Sequence, residues 1–230
     1  MDILLISGLW LDGTAWDRVV PELTALGHRP TALTLPGQGD GASSATLDDQ
    51  LAAVVAAVDA APGPVAVVGH SAASTLAWLA VDARPEKVAE VVFIGGFPAE
   101  DGRAYAPFFE IVDGAMPFPG WGPFEGPDSA DLDDEARRSF AAAAIPVPEK
   151  VATGVVRLRD ERRYGVPAVV VCPEFTPADV RTWIASGDVP ELAKIEHLEL
   201  VDIDSGHWPM LTRPAELARV LAASTGSGQG

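Results

Sequence analysis

The chain has 230 residues, of which 48% are hydrophobic and 21% charged, and it carries a formal net charge of −17. This composition indicates one folded domain and excludes a disordered chain, and the acidic excess argues against nucleic acids and anionic membranes as partners. Cys172 is the only cysteine, which excludes an intrachain disulfide and a metal site built from several cysteines. The apolar run after Met1 is short and has no basic leader, so we expect a cytoplasmic protein.

Short apolar runs alternate with amphipathic stretches of helical length along most of the chain. The predicted strands are Ile3–Ile6, Thr31–Leu35, Val65–Val68, Val88–Ile94, Val166–Cys172 and His197–Ile203. The predicted helices are Val20–Leu26, Leu47–Ala60, Ser71–Ala83, Ala178–Ala185 and Pro214–Ala222. This alternation is typical of βα units and predicts an α/β fold with a mostly parallel sheet flanked by helices.

One long segment interrupts this alternation. Residues 97–164 contain no clear strand but hold eight of the 20 prolines and six of the eight phenylalanines. A structureless loop of this length is uncommon in a compact domain, and its aromatic side chains would be poorly solvated in a disordered linker. We therefore predict a cap, with a helix at Asp133–Ala143, inserted into a core of residues 1–96 and 165–223. Residues 224–230 are rich in glycine and serine and are predicted to be a disordered tail.

The stretch from residue 65 to residue 73 reads Val-Ala-Val-Val-Gly-His-Ser-Ala-Ala and is followed by a helical pattern. A strand, a sharp turn with small residues and a helix form the context in which a nucleophilic serine is exposed at a helix N-terminus. The pattern predicts that Ser71 is a nucleophile. A serine that only caps a buried helix is the alternative. His70 is interpreted as a bystander beside the turn.

A serine nucleophile needs a base, and the chain offers four histidines. His28 and His197 lie at the amino ends of predicted strands. His207 follows the last predicted strand and therefore lies at the carboxyl edge of the sheet, where catalytic groups of open parallel sheets gather. We predict that His207 is the base, with Gly206 allowing the tight loop that directs its side chain.

The base needs a carboxylate that orients its imidazole. Glu174 follows the predicted strand that ends at Cys172 and is our first candidate. Asp204 and Asp101 remain alternatives, whereas Asp179 is interpreted as an exposed carboxylate in the first turn of a helix.

The developing oxyanion needs two backbone N–H donors. We expect one from Ala72, directly after the nucleophile. We expect the other from Leu9, because Gly8 lets the loop after the first strand turn. A tight loop without a catalytic role is the alternative.

The chain resembles the small α/β-hydrolases, and most closely the group with plant methyl-ester esterases and hydroxynitrile lyases. Four motifs carry the resemblance: Ser7-Gly8-Leu9-Trp10, Gly69-His70-Ser71-Ala72-Ala73, Pro173-Glu174-Phe175 and Gly206-His207-Trp208-Pro209. The resemblance implies the α/β-hydrolase fold with a helical cap and no cofactor.

The chain departs from the group at several positions. Ser7 stands where the group usually has histidine, and Glu174 stands where aspartate is more frequent. The lyases of the group have a lysine directly after the catalytic histidine and a threonine in the oxyanion loop, where this chain has Trp208 and Gly8. These differences favour ester hydrolysis over cyanohydrin cleavage.

These features predict an enzyme that hydrolyses carboxylic esters, lactones or thioesters with a hydrophobic acyl or alkyl group through an acyl-enzyme on Ser71. The predicted pocket residues are Trp10, Phe109, Trp121 and Trp208. The expected partner is a small hydrophobic ester, with no metal and no membrane involved. A lyase or a C–C bond hydrolase with the same triad is the alternative. The sequence does not indicate an oligomeric state.

Overall fold

A six-stranded parallel sheet forms the centre of the computed structural model, which describes residues 1–224. Its strands are β1 (Asp2–Ile6), β2 (Arg29–Leu33), β3 (Val65–His70), β4 (Val88–Ile94), β7 (Ala168–Cys172) and β8 (Leu198–Asp202). They lie in the order β2-β1-β3-β4-β7-β8, and every neighbouring pair is parallel. The predicted α/β fold with a parallel sheet is confirmed.

Central and edge strands differ in how far their residues are buried. Every residue of β3 is buried, as expected for a strand covered on both faces, whereas β2 and β8 at the edges contain exposed residues. Strand β2 begins and ends two residues earlier than predicted, because its pairing with β1 runs from Arg29 to Leu33. Leu35 is buried although it lies beyond the strand, and its N–H donates to Gln38 Oε1 at 2.7 Å.

The helices flank the sheet. They are α1 (Val20–Ala25), α2 (Leu47–Ala60), α3 (Ala73–Ala83), α4 (Asp134–Ala143), α5 (Glu149–Ala152), α6 (Pro177–Ser186), α7 (Pro209–Thr212) and α8 (Pro214–Ser224). Alternating residues of each strand contribute to two separate cores, one on each face of the sheet. In β1, for example, Leu4 and Ile6 belong to one core, and Ile3 and Leu5 to the other.

Residues 97–164, the cap segment, contain α4, α5 and two strands of two residues each. These strands, β5 (Ala115–Met116) and β6 (Val147–Pro148), pair antiparallel and were not predicted from the sequence. The segment contacts loops at the carboxyl edge of the large sheet. Trp10 Nε1 donates to the Met116 carbonyl at 3.2 Å, and the His207 N–H donates to the Asp128 carbonyl at 2.7 Å. The cap segment is therefore hydrogen-bonded to the loops that follow β1 and β8.

The last helix is two residues longer than predicted, because α8 ends at Ser224 and not at Ala222. Ser224, which was assigned to the disordered tail, is the last residue of α8 and is buried. The rest of the predicted tail, residues 225–230, lies outside the described residues. Within residues 1–224, no helix is both long enough and apolar enough to cross a membrane.

Candidate active site

Ser71 occupies the sharp turn between β3 and α3. Its φ is +56°, a left-handed conformation that is uncommon for residues other than glycine. The Ser71 N–H donates to the Ile94 carbonyl at 2.7 Å, and its carbonyl accepts from the Ser74 N–H at 3.0 Å. A Cβ on Gly69 would lie 2.3 Å from the Ala73 carbonyl oxygen, so only glycine fits there. The predicted helix start at Ser71 is wrong by two residues, because the strained turn comes first and α3 begins at Ala73.

His207 lies between Ser71 and Glu174. Its Nε2 is 2.9 Å from Ser71 Oγ, and its Nδ1 is 2.7 Å from Glu174 Oε1. A carboxylate can only accept at Nδ1, so the neutral imidazole carries its proton there and leaves Nε2 free to accept the Ser71 proton. The Glu174 and His207 side chains are each 13% exposed. Gly95, after β4, lies under the ring, where a Cβ would be 3.2 Å from His207 Nδ1.

The other candidate carboxylates have different surroundings. Asp101 Oδ1 accepts the Leu158 N–H at 2.8 Å. Asp179 forms a capping box with Thr176 at the start of α6, and this hydrogen bonding lowers the pKa of its carboxyl. Asp204 is exposed, and its carbonyl accepts from Arg213 Nε at 3.1 Å. Of these carboxylates and Glu174, only Glu174 is hydrogen-bonded to the imidazole in the described part of the chain.

His70, interpreted from the sequence as a bystander, is hydrogen-bonded to the backbone of His207. Its Nε2–H donates to the His207 carbonyl at 2.7 Å. Burial lowers the pKa of His70 to about 3, and the nearby His207 acts in the same direction. His70 is therefore a neutral donor that binds the backbone of the residue carrying the candidate base.

The loop after β1 lies against the turn that bears Ser71. A Cβ on Gly8 would lie 2.9 Å from both His70 Nδ1 and Ser71 Cβ, so this glycine is what permits the close approach. Ser7, where the resembled group has histidine, donates from Oγ to the Asp12 carbonyl at 2.6 Å and so holds the loop. Leu9 follows Gly8 in this loop and is buried.

A cleft of about 510 Å³ opens beside Ser71. Its apolar wall includes Phe97, Phe108, Phe175 and Val189. The Phe97 and Phe175 rings lie 5.3 Å apart, and each packs against Trp183, at 5.7 and 5.3 Å. The exposed residues Glu100, Arg103 and Asp188 also line the cleft. An apolar wall beside a polar reacting centre suits a substrate with an apolar body and a polar scissile group.

The residues that the sequence assigned to the substrate pocket lie elsewhere. Among the described residues, none of Trp10, Phe109, Trp121 and Trp208 lines the cleft at Ser71. Trp10 packs against Phe109 at 5.4 Å, and Trp208 packs against Trp121 at 5.5 Å. The Phe124 ring lies 5.9 Å from the Trp10 ring and 5.4 Å from the Trp208 ring. These aromatic rings bury one another between the cap segment and the core, which removes Trp10 and Trp208 almost completely from solvent.

The remaining polar groups of interest are Asp128, Asp131 and Cys172. The Asp128 carboxyl has a raised pKa because it is partly buried and lies near Glu174. Burial raises the pKa of the Cys172 thiol to about 12, which keeps it protonated and unreactive. Asp131, which binds the loop before His207, was missed from the sequence because 75 positions separate it from Gly206. Within residues 1–224, no group of three or more His, Cys, Asp or Glu side chains could hold a metal ion.

Comparisons with known proteins show the family of the chain. Residues 3–220 match the model of the alpha/beta hydrolase family. The chain is 27% identical to lipase LipV of Mycobacterium tuberculosis, over 97% of this chain and 93% of the relative. It is 25% identical to methylesterase 7 of Arabidopsis thaliana, over 95% of this chain and 94% of the relative.

Solved structures show the same fold. An extracellular alpha/beta-hydrolase from a Paenibacillus species, described as sharing structural and functional homology with tobacco salicylic acid binding protein 2, superposes with a TM-score of 0.79. It has 17% identity and covers 97% of this chain and 98% of its own. A methylesterase, MES16 from Arabidopsis, superposes with a TM-score of 0.75 at 14% identity over 99% of both chains.

Proposed function

The chain belongs to the alpha/beta hydrolase family, and we propose that it hydrolyses carboxylic esters with an apolar acyl or alkyl group through an acyl-enzyme on Ser71. The observation that carries this proposal is the unbroken hydrogen-bond chain from Ser71 Oγ through both nitrogens of His207 to Glu174. The lipase and the methylesterase among its relatives support the reaction class.

The proposed mechanism follows from this geometry. Ser71 Oγ attacks the acyl carbon while His207 Nε2 takes its proton, and Glu174 stabilises the resulting imidazolium. The N–H groups of Leu9 and Ala72 bind the oxyanion. His207 then gives the proton to the leaving alcohol as the ester C–O bond breaks. Water attacks the acyl-enzyme with His207 again as base, and the bond from the acyl carbon to Ser71 Oγ breaks as His207 returns the proton to Oγ and the acid leaves. Lactones and thioesters fit the same steps.

The cleft beside Ser71 is the proposed site for the apolar part of the substrate. Phe108, which is 59% exposed, projects into this cleft, whereas its neighbour Phe109 packs against Trp10 and Phe124. Binding of the substrate's apolar chain along Phe97, Phe108 and Phe175 would remove apolar surface from water on both sides.

A series of p-nitrophenyl esters from acetate to decanoate tests the proposal. Each buried methylene contributes about 0.8 kcal/mol, so kcat/KM should rise about fourfold per methylene until the cleft is full, then fall. Phe108→Ala should flatten the rise and leave acetate nearly unchanged, while the matched variant Phe109→Ala should keep the rise and lower Tm.

Several outcomes would contradict the proposal. The absence of turnover on every ester, lactone and thioester would refute ester hydrolysis. Cleavage of cyanohydrins or diketones in preference to esters would favour the lyase or C–C hydrolase alternative. A loss of the chain-length trend in Phe109→Ala but not in Phe108→Ala would move the apolar site away from the cleft.

A further inference from the structure

The loop that precedes His207 is bound by the cap segment through its backbone. Asp131 Oδ2 accepts the Gly206 N–H at 2.9 Å and lies 3.2 Å from Ser205 Oγ. The next N–H along the chain, that of His207, donates to the Asp128 carbonyl at 2.7 Å. Two consecutive N–H groups of the loop therefore donate to the same short turn of the cap segment.

The turn packs closely against Gly206. A Cβ on Gly206 would lie 2.4 Å from the Asp128 carbonyl oxygen and equally close to Asp131 Oδ1. Only a glycine allows the loop to approach the turn so closely. The two segments are in direct contact, so a displacement of one displaces the other.

The turn that carries Asp131 is itself held in place. Ser129 is fully buried, and its Oγ donates to the Phe124 carbonyl at 2.6 Å. Arg137, on α4, donates to the Ser129 carbonyl at 2.6 Å and to the Leu132 carbonyl at 3.2 Å. A carboxylate fixed in this way is a preorganised support for a residue that must keep its position.

The opposite side of His207 is bound as well. Its carbonyl accepts the Nε2–H of His70, the residue directly before Ser71, at 2.7 Å. The backbone of His207 is thus held between the cap segment on one side and the strand that ends at the nucleophile on the other.

We propose that Asp131 is a positioning residue, whose carboxylate sets the place of the His207 imidazole relative to Ser71 by binding the Gly206 N–H. The inference rests on the proposed function of Ser71 and His207. It gives the cap segment a role in the chemical step itself, in addition to covering the carboxyl edge of the sheet.

The variant Asp131→Ala tests the proposal with p-nitrophenyl acetate and a longer ester. Misplacing a catalytic group by about 1 Å costs about 10²-fold in rate, so kcat should fall roughly 10- to 100-fold on both esters. KM should stay within about twofold, because Asp131 does not line the cleft among the described residues. Asp131→Asn keeps an oxygen that can accept the Gly206 N–H, and it should restore kcat to within about threefold of the wild type. Its NH₂ group takes the position of Oδ1, which is buried and has no hydrogen-bond partner among the described residues, so this variant should also have a lower Tm.

Asp133→Ala is the matched control. Asp133 Oδ1 accepts the Ala136 N–H at 2.8 Å and caps α4, so its loss destabilises the same part of the cap without removing the contact to Gly206. It should lower Tm and leave kcat unchanged. If Asp131→Ala is not obtained folded, Asp131→Glu keeps the charge and moves the accepting oxygens by one bond length, and its kcat should fall about tenfold.

Three results would overturn the proposal while the wild type hydrolyses esters normally. One is wild-type kcat in Asp131→Ala, or in Asp131→Glu where that variant is the one obtained. Another is an equal loss of kcat in Asp133→Ala, which would indicate general weakening of the cap. The third is a loss in Asp131→Asn as large as that in Asp131→Ala. Failure of the proposed function would be recognised separately, because the wild type itself would then be inactive.

Discussion

Replacing Glu174 with glutamine changes one atom of the hydrogen-bond chain and keeps its shape. Glu174 Oε1 lies 2.7 Å from His207 Nδ1, while Oε2 is buried and has no hydrogen-bond partner among the described residues. A carboxylate presents acceptors at both positions. A glutamine must place its NH₂ group at one of them.

Both placements of the amide impair the base. If the NH₂ group takes the position of Oε2, a buried donor is left without a partner, at a cost of about 1–3 kcal/mol. If it faces His207, it donates to Nδ1, and the imidazole then carries its proton on Nε2 and cannot accept the proton of Ser71. In either case the charge that stabilises the imidazolium is gone. Loss of an orienting carboxylate costs about 10⁴ in kcat, or about 5.5 kcal/mol of barrier.

The assay is steady-state hydrolysis of p-nitrophenyl butyrate by Glu174→Gln and by three matched Asp→Asn variants. Asp179→Asn, at the start of the next helix, should lower Tm through its weakened capping box and leave kcat within about twofold. Asp101→Asn and Asp204→Asn should also leave kcat within about twofold. The reasoning is refuted if Glu174→Gln keeps more than about a tenth of the wild-type kcat, or if one of the aspartate variants shows the 10⁴-fold loss instead.

Two further predictions concern the surroundings of Ser71. Burial lowers the pKa of His70 from 6.5 to about 3, so the unfolded chain binds this proton at a higher pH than the folded chain, and stability falls as the pH drops from 6.5 towards 3. The variant His70→Gln keeps a donor but does not titrate, so between pH 7 and pH 5 its free energy of unfolding in urea should fall by about 2 kcal/mol less than that of the wild type. Equal losses would contradict this. A Cβ on Gly96 would lie 2.4 Å from the Ser71 carbonyl oxygen, so Gly96→Ala should cost about 1–3 kcal/mol of stability and lower kcat. Gly63→Ala is the control and should change neither, because a Cβ at Gly63 meets no atom within 4 Å. A Gly96→Ala protein with wild-type Tm and kcat would show that the turn can relax.

The sequence predicted the parts of the site that depend on local structure. The apolar run before Gly69 and the helical pattern after Ser71 are read from neighbouring residues, and the structure has β3, the turn and α3 in that order. The places of His207 and Glu174 at the sheet edge follow from the predicted strands, since Glu174 lies two residues and His207 four residues after the end of one. The structure brings both within hydrogen-bonding distance of their partners.

The cap segment could not be predicted in the same way, because its backbone is largely irregular. In a helix or strand, periodicity indicates which side chains share a face, but Phe108 and Phe109 lie in a stretch without either element. One lines the cleft and the other packs against Trp10, a difference that only contacts distant in sequence decide. The contact of Asp131 with Gly206 depends on the same distant packing, and so does the contact of His70 with the His207 carbonyl.

The central claim, that Ser71 is the nucleophile, is tested most directly by covalent labelling with a fluorophosphonate, followed by intact-protein and peptide mass spectrometry. The account predicts one adduct per chain on the peptide that contains Ser71, formed in step with the loss of esterase activity. Ser71→Ala should form no adduct and should show kcat lower by roughly 10³- to 10⁶-fold with an unchanged fold. An adduct on another residue, or near wild-type turnover in Ser71→Ala, would contradict the claim.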